Sequence, residues 1–273
     1  MAVAAPANLD TGERRAESAR QTPMATPNLV LLGYGITDTL QLTVESQRML
    51  ARAGAAYSIG LPPNLAAFLK SQRVTVKDLT SRLAPGRDYA EGYLDIANFL
   101  IERTAHERPV VFLSPGNPLV FNAIGRYLAI EGRRLGLVVQ VLPAVSQLDA
   151  IIAGIGLDVS TFGLQVFDAT RLLTRRIQLN PQAPALLMNI GTLGATEVPA
   201  VDSAPPDAAS LVRYLAPCYP ASHPVNVIRL DESGMSVAAA TLAALAKLGG
   251  EVQPGSHLFL DLVRPQTEGT PAP

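Results

Sequence analysis

The clearest structural signal of the chain is VVFLSPGNPLVF, residues 110–121. Its first four residues are a short apolar, mostly β-favouring run, typical of a strand buried on both faces of a parallel sheet. Pro115 and Pro118 cannot donate a backbone hydrogen bond, and Gly116 permits backbone conformations closed to other residues, so the strand ends in a stiff loop. In an open α/β sheet, ligands bind at this carboxyl edge.

The residues that follow continue an α/β pattern. Ala123 to Glu131 places Ile124 and Leu128 on one face of a helix. Val138 to Leu142 then reads as another buried strand, and it ends in the loop Pro143-Ala144-Val145-Ser146. We expect both strands to end in loops at the same edge of one sheet.

A third loop of this kind lies near the start. Leu29 to Leu32 is an apolar run followed by Gly33-Tyr34-Gly35-Ile36, with Thr37 and Asp38 available as helix N-caps. Small residues in such a loop let a backbone approach a ligand closely. Together the three loops predict a ligand-binding edge.

These three loops resemble motifs of the tetrapyrrole methylase family. Gly33-Tyr34-Gly35 stands where that family has a glycine-rich turn after the first strand, and Gly116-Asn117-Pro118 with Phe121 is similar to its Gly-Asp-Pro motif and following aromatic. Pro143-Ala144-Val145-Ser146 resembles its Pro-Gly-Val-Ser motif. The departures are Asn117 for Asp, which keeps the hydrogen-bonding shape and loses the charge, and Ala144 for Gly.

The resemblance covers about Leu29 to Leu262 and implies a fold and a cofactor. The family consists of S-adenosyl-L-methionine-dependent methyltransferases built from two α/β domains with the cofactor in the cleft between them. We therefore expect an N-terminal α/β domain at residues 28–146 and a C-terminal α/β domain at 147–265, between a flexible tail at 1–27 and a tail at 266–273. The resemblance also implies a homodimer.

The cofactor contacts that the resemblance implies fall on the three loops and on the second domain. They are Gly33, Tyr34, Gly35, Ser114, Gly116, Asn117, Pro118, Val120, Phe121, Val145, Ser146, Gln147, Leu164, Gln165, Met188 and Asn189. The last four could close over the adenine.

A further candidate site precedes the central strand. From Tyr89 onward, apolar residues recur at helical spacing, and Tyr89 and Tyr93, four residues apart, present both hydroxyls on one face of the helix. Arg87 lies just before them. Two interpretations stand side by side: the rings merely pack, or phenol and guanidinium form a proton-handling pair.

The same region is similar to borosin-type peptide backbone N-methyltransferases, as are Val166 to Leu173 and Ala185 to Gly191. The resemblance implies α-N-methylation of a precursor peptide. No hydrophobic, repetitive segment follows the last strand, so we expect a separate peptide, methylated in trans in a ribosomal peptide pathway. An amide nitrogen is a poor nucleophile, so Arg87, Tyr89 and Tyr93 are the catalytic candidates, as base and charge stabiliser.

Thr80 and Leu83 stand where borosin enzymes carry further tyrosines. One alternative is therefore C-methylation of a porphyrinoid, which needs a broad apolar cleft and little acid or base help. A second alternative is a non-catalytic cofactor-binding or scaffold homologue, which Asn117 and Ala144 favour.

Composition limits which classes of partner and which cellular location we expect. With 22 basic and 23 acidic residues the chain has no electrostatic footprint for nucleic acid or an anionic membrane, and no apolar run approaches the roughly 20 residues of a membrane helix. The single cysteine, Cys218, and three scattered histidines show no metal-ligand spacing. We expect a cytoplasmic protein without a metal.

The remaining pattern predicts further elements. Helices are expected at Leu40 to Ala53, Leu148 to Ile155, Ala208 to Leu215 and Ser236 to Leu248, small helical or irregular pieces at Val76 to Leu83, and strands at Phe162 to Phe167, Leu186 to Ile190, Val225 to Leu230 and His257 to Leu262.

Overall fold

The computed structural model describes residues 26–36, 41–199, 208–231, 234–247 and 252–263. Within these ranges the protein is a mixed α/β structure with two five-stranded sheets. No helix in the described ranges is long and apolar enough to cross a membrane. The proposed caps Thr37 and Asp38 and nearly all of both predicted tails lie outside the described residues, so those predictions stay untested.

The first sheet is built from the first half of the chain. Its strands are β1 (Leu29–Gly33), β2 (Ala55–Ser58), β3 (Val76–Asp78), β4 (Val110–Ser114) and β5 (Val139–Leu142). Its helices are α1 (Val44–Leu50), α2 (Pro63–Ser71), α3 (Tyr89–Arg103) and α4 (Ala123–Arg134).

The strand order β3-β2-β4-β1-β5 determines where the loops meet. All neighbouring pairs are parallel, and β1 lies between β4 and β5. The three predicted loops therefore leave one edge of the sheet side by side, as the sequence predicted. Every residue of β1 and β4 is buried, because helices cover both faces: α3 and α4 pack on one and α1 and α2 on the other.

Side-chain caps determine where helices α1 and α3 begin. The Asp88 carboxylate accepts a hydrogen bond from the Glu91 N–H at the start of α3, and the Thr43 hydroxyl accepts one from the Ser46 N–H at the start of α1. Satisfying these free N–H groups fixes the first turn. Because Thr43 is the cap, α1 is shorter than the predicted helix from Leu40 to Ala53.

The second half forms a mixed sheet. Its elements are α5 (Gln147–Ile155), α6 (Val159–Phe162), β6 (Gln165–Asp168), α7 (Ala169–Thr174), β7 (Ala185–Met188), α8 (Ala209–Leu215), β8 (Pro224–Asp231), β9 (Gly234–Thr241) and β10 (Ser256–Leu260), in the strand order β6-β7-β10-β8-β9. β6 and β7 are parallel, and the other pairs are antiparallel. α7 and α8 cover one face, and α5 covers part of the other.

The predicted helix from Ser236 to Leu248 is wrong. Gly234–Thr241 is a strand that pairs with β8 along its whole length, and Leu242–Lys247 is a 3₁₀ helix. The alanine run favours a helix in isolation, but eight paired residues in a hairpin outweigh that local preference.

Two other boundaries also differ from the sequence pattern. Val76–Asp78 forms an edge strand where small helical or irregular pieces were expected. Val159–Phe162 is a helical turn whose N–H groups are capped by Asp158, so the strand predicted from Phe162 begins only at Gln165.

A short backbone ladder joins the two halves of the molecule. The Gly86 N–H donates to the Val198 carbonyl, the Val198 N–H donates to the Arg87 carbonyl, and the Tyr89 N–H donates to the Thr196 carbonyl, each at 2.9 Å. We call these three hydrogen bonds the interdomain bridge. They attach the first turn of α3 to a segment that follows β7.

Candidate functional site

A cavity of about 290 Å³ lies between the carboxyl edge of the first sheet and the end of β7. Its wall includes nine of the predicted site residues, namely Tyr93, Gly116, Asn117, Val120, Phe121, Ser146, Gln147, Met188 and Asn189. The sequence patterns around the three loops and β7 thus lead to one concave site. Among the residues that the structure describes, the wall includes no Lys, Arg, Asp or Glu.

Two glycines bring the first and second loops into backbone contact. Gly35 and Gly116 form an isolated antiparallel bridge in which the Gly116 N–H donates to the Gly35 carbonyl at 2.9 Å. Gly116 has φ of +64°, and a β-carbon there would lie 3.2 Å from Ile36 Cδ1. The glycine keeps open a cradle that a side chain would fill, as a closely bound ligand requires.

The residues next to this cradle belong to the same loops without forming the cavity wall. They are Gly33, Tyr34, Gly35, Ser114, Pro118 and Val145. The Tyr34 ring packs into the core beside α1 and α2. Ser114 is buried, and its hydroxyl has no partner among the described residues, whereas a buried hydroxyl is normally hydrogen-bonded. An unpaired hydroxyl and an open glycine cradle fit a bound polar ligand.

The Asn117 side chain forms a hydrogen bond through its oxygen. Oδ1 accepts a hydrogen bond from the Leu119 N–H at 2.9 Å, which closes a turn in the central loop. Asn122 also accepts a hydrogen bond through its side-chain oxygen: the Gly125 N–H donates to Asn122 Oδ1 at 2.8 Å, which caps the start of α4. Between them, Phe121 has φ of +52°, a strained conformation for an aromatic residue.

The third loop ends in a capping box. The Asp149 N–H donates to Ser146 Oγ at 3.2 Å, and the Ser146 N–H donates to Asp149 Oδ2 at 2.8 Å. This reciprocal pair fixes the first turn of α5 against the cavity, with Gln147 in its wall.

The two tyrosines lie together at the other side of the cavity. Tyr93 is in the cavity wall, and its ring centroid is 5.4 Å from that of Tyr89. Burial, with a smaller contribution from Tyr89, raises the pKa of Tyr93 to about 12, and burial also raises the pKa of Tyr89. Both phenols are therefore protonated at neutral pH.

The Arg87 guanidinium binds acceptors other than the two phenols. It donates to Asp95 Oδ2 at 3.2 Å and to the Arg82 carbonyl at 2.7 Å, and Arg82 binds the other oxygen of Asp95 at 2.8 Å. A carboxylate is a stronger acceptor than a neutral phenol. The structure therefore brings the tyrosines to the site, and it does not form the expected phenol–guanidinium pair.

Two residues of the second half do not reach the cavity wall. Gln165 pairs with Ala185 at the amino end of its strand, and its amide bonds the carbonyls of Asn180 and Ala183 at 2.8 and 3.1 Å. Leu164 packs into the apolar cluster between β7 and α5. Met188 and Asn189 are at the carboxyl end of β7, where the cavity lies.

The sequence interpretation missed an apolar part of the wall, formed by Ile36, Ile59, Leu83 and Ile124. Ile36 and Ile59 directly follow a glycine turn and a strand, respectively, so their position at the sheet edge was a usable signal. Within the described ranges, no group of three or more His, Cys, Asp or Glu side chains could hold a metal ion.

Comparison with known proteins places this geometry in a family. The model of the family described as Tetrapyrrole (Corrin/Porphyrin) Methylases matches residues 28–230. The chain is 26% identical over 168 residues to a methyltransferase and type I borosin cyclic peptide precursor of Mycena rosella, and 28% identical over 225 residues to one of Serendipita vermifera subsp. bescii. The match to the Mycena rosella protein includes 61% of this chain and 42% of that protein. The match to the Serendipita vermifera protein includes 81% of this chain and 54% of that protein. The chain therefore spans about half the length of these relatives.

Solved structures share the fold. Uroporphyrin-III C-methyltransferase from Thermus thermophilus superposes with a TM-score of 0.62 at 20% identity, covering 85% of this chain and 91% of that one. The same enzyme complexed with S-adenosyl homocysteine gives 0.58 at 18% identity, with coverage of 85% and 96%. A diphthine synthase gives 0.60 at 18% identity, with coverage of 86% and 89%.

Proposed function

The chain belongs to the tetrapyrrole methylase family of S-adenosyl-L-methionine-dependent methyltransferases, and from that premise we propose that it transfers methyl groups to backbone amide nitrogens of a peptide supplied in trans. The cofactor would bring a sulfonium-activated methyl group. Residues of the three loops with Met188 and Asn189 would hold it, and the glycine cradle and the unpaired Ser114 hydroxyl fit such a ligand.

The observation that carries the peptide assignment is that the part of the cavity wall that the structure describes has no charged side chain. A porphyrinoid bearing several carboxylates would have to bury them without basic partners, which is costly. A peptide segment with apolar side chains meets no such penalty beside Ile59, Leu83 and Ile124. The relatives are described as methyltransferases and borosin cyclic peptide precursors, which supports a peptide acceptor.

The residues of the chain then have distinct tasks. The cavity aligns the acceptor nitrogen with the donor and excludes water. As the amide nitrogen is methylated, its proton passes to Tyr93 Oη, which has to be ionised at that moment. Tyr89 packs against Tyr93, and Arg87 fixes the loop before α3 through Asp95. We expect a homodimer, as the family resemblance implies.

The test is intact-mass analysis of the purified protein with S-adenosylmethionine and a small-peptide fraction from its source. Added steps of about 14 Da, the mass of methyl replacing hydrogen in this transfer, placed on backbone nitrogen by fragmentation, would establish the proposal. Uroporphyrinogen is offered in a parallel reaction. Methylation of the porphyrinoid alone would establish the other acceptor class.

Ligand binding, measured together with product formation, distinguishes an active methyltransferase from a non-catalytic homologue. S-adenosylhomocysteine at ~100 times its dissociation constant should stabilise the folded protein by about 2.7 kcal/mol. Stabilisation of this size without any methylated product would favour a cofactor-binding scaffold. No stabilisation at all would remove the methyltransferase proposal.

A further inference from the structure

Asn189 adopts an unusual backbone conformation at the cavity wall. Its φ of 62° and ψ of 37° are left-handed, a region that few residues other than glycine enter and that asparagine enters most readily among them. Residues held in such conformations cluster at functional sites and persist only where surrounding contacts fix them.

Three neighbours fix Asn189. Its backbone N–H donates to His257 Nδ1 at 3.1 Å, and its side-chain Nδ2 donates to Asp168 Oδ2 at 3.1 Å. Its carbonyl accepts from the Thr192 N–H at 3.2 Å. Its side-chain Oδ1 receives no hydrogen bond from the described part of the chain, so it is available as an acceptor at the cavity that Asn189 lines.

His257 is suited to be a permanent acceptor. It lies on β10, beside the end of β7, and is fully buried. Burial lowers the pKa of His257 to about 4, so the ring is neutral at neutral pH. An Nδ1 that accepts the Asn189 N–H has to carry no proton, which places the ring hydrogen on Nε2.

Asp168 completes the support from the parallel strand. Its Oδ1 caps α7 through the Arg171 N–H at 3.0 Å while its Oδ2 binds Asn189. The Asn189 side chain is therefore held from β6, and its backbone is held from β10 on the other side of β7.

We propose that His257 is a positioning residue for the cofactor: it acts through the Asn189 N–H to hold the left-handed turn that presents Asn189 Oδ1 to a hydrogen-bond donor of the bound S-adenosyl group. The proposal rests on the proposed function only for the identity of the ligand. It concerns binding alone, so it is tested without any acceptor peptide.

The experiment measures the Kd of S-adenosylhomocysteine by calorimetry for wild type, His257→Leu and His257→Asn. Leucine removes the acceptor at similar volume, and affinity should fall about tenfold, the order expected when a buried N–H loses its partner. Asparagine can offer Oδ1 near the position of Nδ1, and it should restore affinity to within about threefold of wild type. Equal affinity of all three proteins would overturn the proposal.

A double-mutant cycle shows whether the effect passes through Asn189. If it does, His257→Leu combined with Asn189→Ala binds no more weakly than Asn189→Ala alone. Fully additive losses would overturn the proposal. The matched control is His223→Leu, because His223 is also buried and binds the Asp261 carbonyl through Nε2. It should lower the melting temperature and leave the Kd unchanged.

The wild-type protein provides a test that does not depend on how variants fold. The chain contains only His106, His223 and His257, so the ring nitrogens can be assigned in long-range ¹H–¹⁵N spectra. His257 should show an unprotonated Nδ1 at neutral pH, and its signals should shift when S-adenosylhomocysteine saturates the site. A protonated Nδ1, or a ring unaffected by bound ligand, would refute the assignment. A wild-type protein that binds no ligand would refute the cofactor assignment and this proposal together.

Discussion

A β-carbon on Gly33 would lie 2.1 Å from the carbonyl oxygen of Gly116. The end of β1 and the loop after β4 are therefore in backbone contact. Gly33→Ala should force these segments apart, lowering the free energy of unfolding by roughly 1–3 kcal/mol and weakening S-adenosylhomocysteine binding. Urea unfolding and calorimetry measure the two effects.

The control for this substitution is Gly136→Ala. Gly136 has φ of +79°, and a β-carbon added there would meet no atom within 4 Å, so alanine meets backbone strain of about 1 kcal/mol without a clash. Its ligand affinity should equal that of wild type. If Gly33→Ala binds ligand as tightly as Gly136→Ala does, the loop contact has no role in the cofactor site.

Asn117→Asp should change little. Asn117 works through an oxygen that accepts the Leu119 N–H, and aspartate offers an oxygen in the same place. We expect the Kd of S-adenosylhomocysteine to stay within about threefold, and Asn117→Ala, which loses the acceptor, to weaken binding about fivefold or more. A large loss with aspartate and none with alanine would show that charge, and not the turn, governs this position.

Tyr93→Phe should lower turnover by about 10² or more, as expected for loss of a general base, and leave cofactor affinity nearly unchanged. Tyr89→Phe is the matched control, because Tyr89 is outside the cavity wall, and it should reduce turnover far less. An unaltered rate in Tyr93→Phe would assign that ring to packing alone.

The pH dependence of wild-type turnover should follow the ionisation of Tyr93. The pKa of Tyr93 is raised to about 12, so the ionised fraction grows about tenfold for each pH unit between about 7 and 11. We expect turnover to rise with pH in that range and the slope to disappear in Tyr93→Phe. A flat wild-type profile with chemistry rate-limiting would exclude the phenolate as the base.

Glu107 links three elements far from the cavity. Its carboxylate accepts hydrogen bonds from the Tyr57 hydroxyl at 2.6 Å, from Lys77 at 3.1 Å and from Arg103. Arg103, with Tyr57 and Lys77, lowers the pKa of Glu107 to about 2. A lowered folded-state pKa adds stability at neutral pH, and this stability is lost as pH falls from about 4.5 to about 2.

Glu107→Gln should therefore lower the free energy of unfolding at pH 7 by about 1–2 kcal/mol, as expected when hydrogen bonds to a charged group are weakened, and flatten the acid dependence of stability. Urea unfolding at several pH values measures both. Glu131→Gln is the control, since among the described residues the ion-pair partner of Glu131 is Arg134, whose side chain is 68% exposed, and pairs with an exposed partner contribute little. Equal acid profiles for both variants would contradict the assignment.

The sequence was sufficient for the part of the fold that buried strands determine. Fully apolar runs bounded by turn residues, such as Leu29–Leu32 and Val110–Leu113, favour central strands of a covered sheet, and parallel strands end at a common edge. The family motifs at the strand ends then located part of the cavity wall, including Gly116, Asn117 and Ser146.

What the sequence could not show depends on competition between distant residues. Arg87 was expected beside Tyr89 and Tyr93, but Asp95 binds it because of how α3 and the preceding turn pack. β9 exists because β8 is available as a partner, and the helix preference of its alanines gives no hint of that. The contact of Asn189 with His257 joins positions 68 residues apart, and no local pattern indicates it.

The interdomain bridge has a consequence for motion at the cleft. The segment Thr196–Val198 belongs to the second half of the chain, yet its hydrogen-bond partners are the residues that begin α3 and the turn before it. Any hinge opening of the two halves must either break these bonds or pull on the helix that carries Tyr93. These hydrogen bonds would therefore transmit any movement of one half relative to the other to the start of the helix that carries Tyr93.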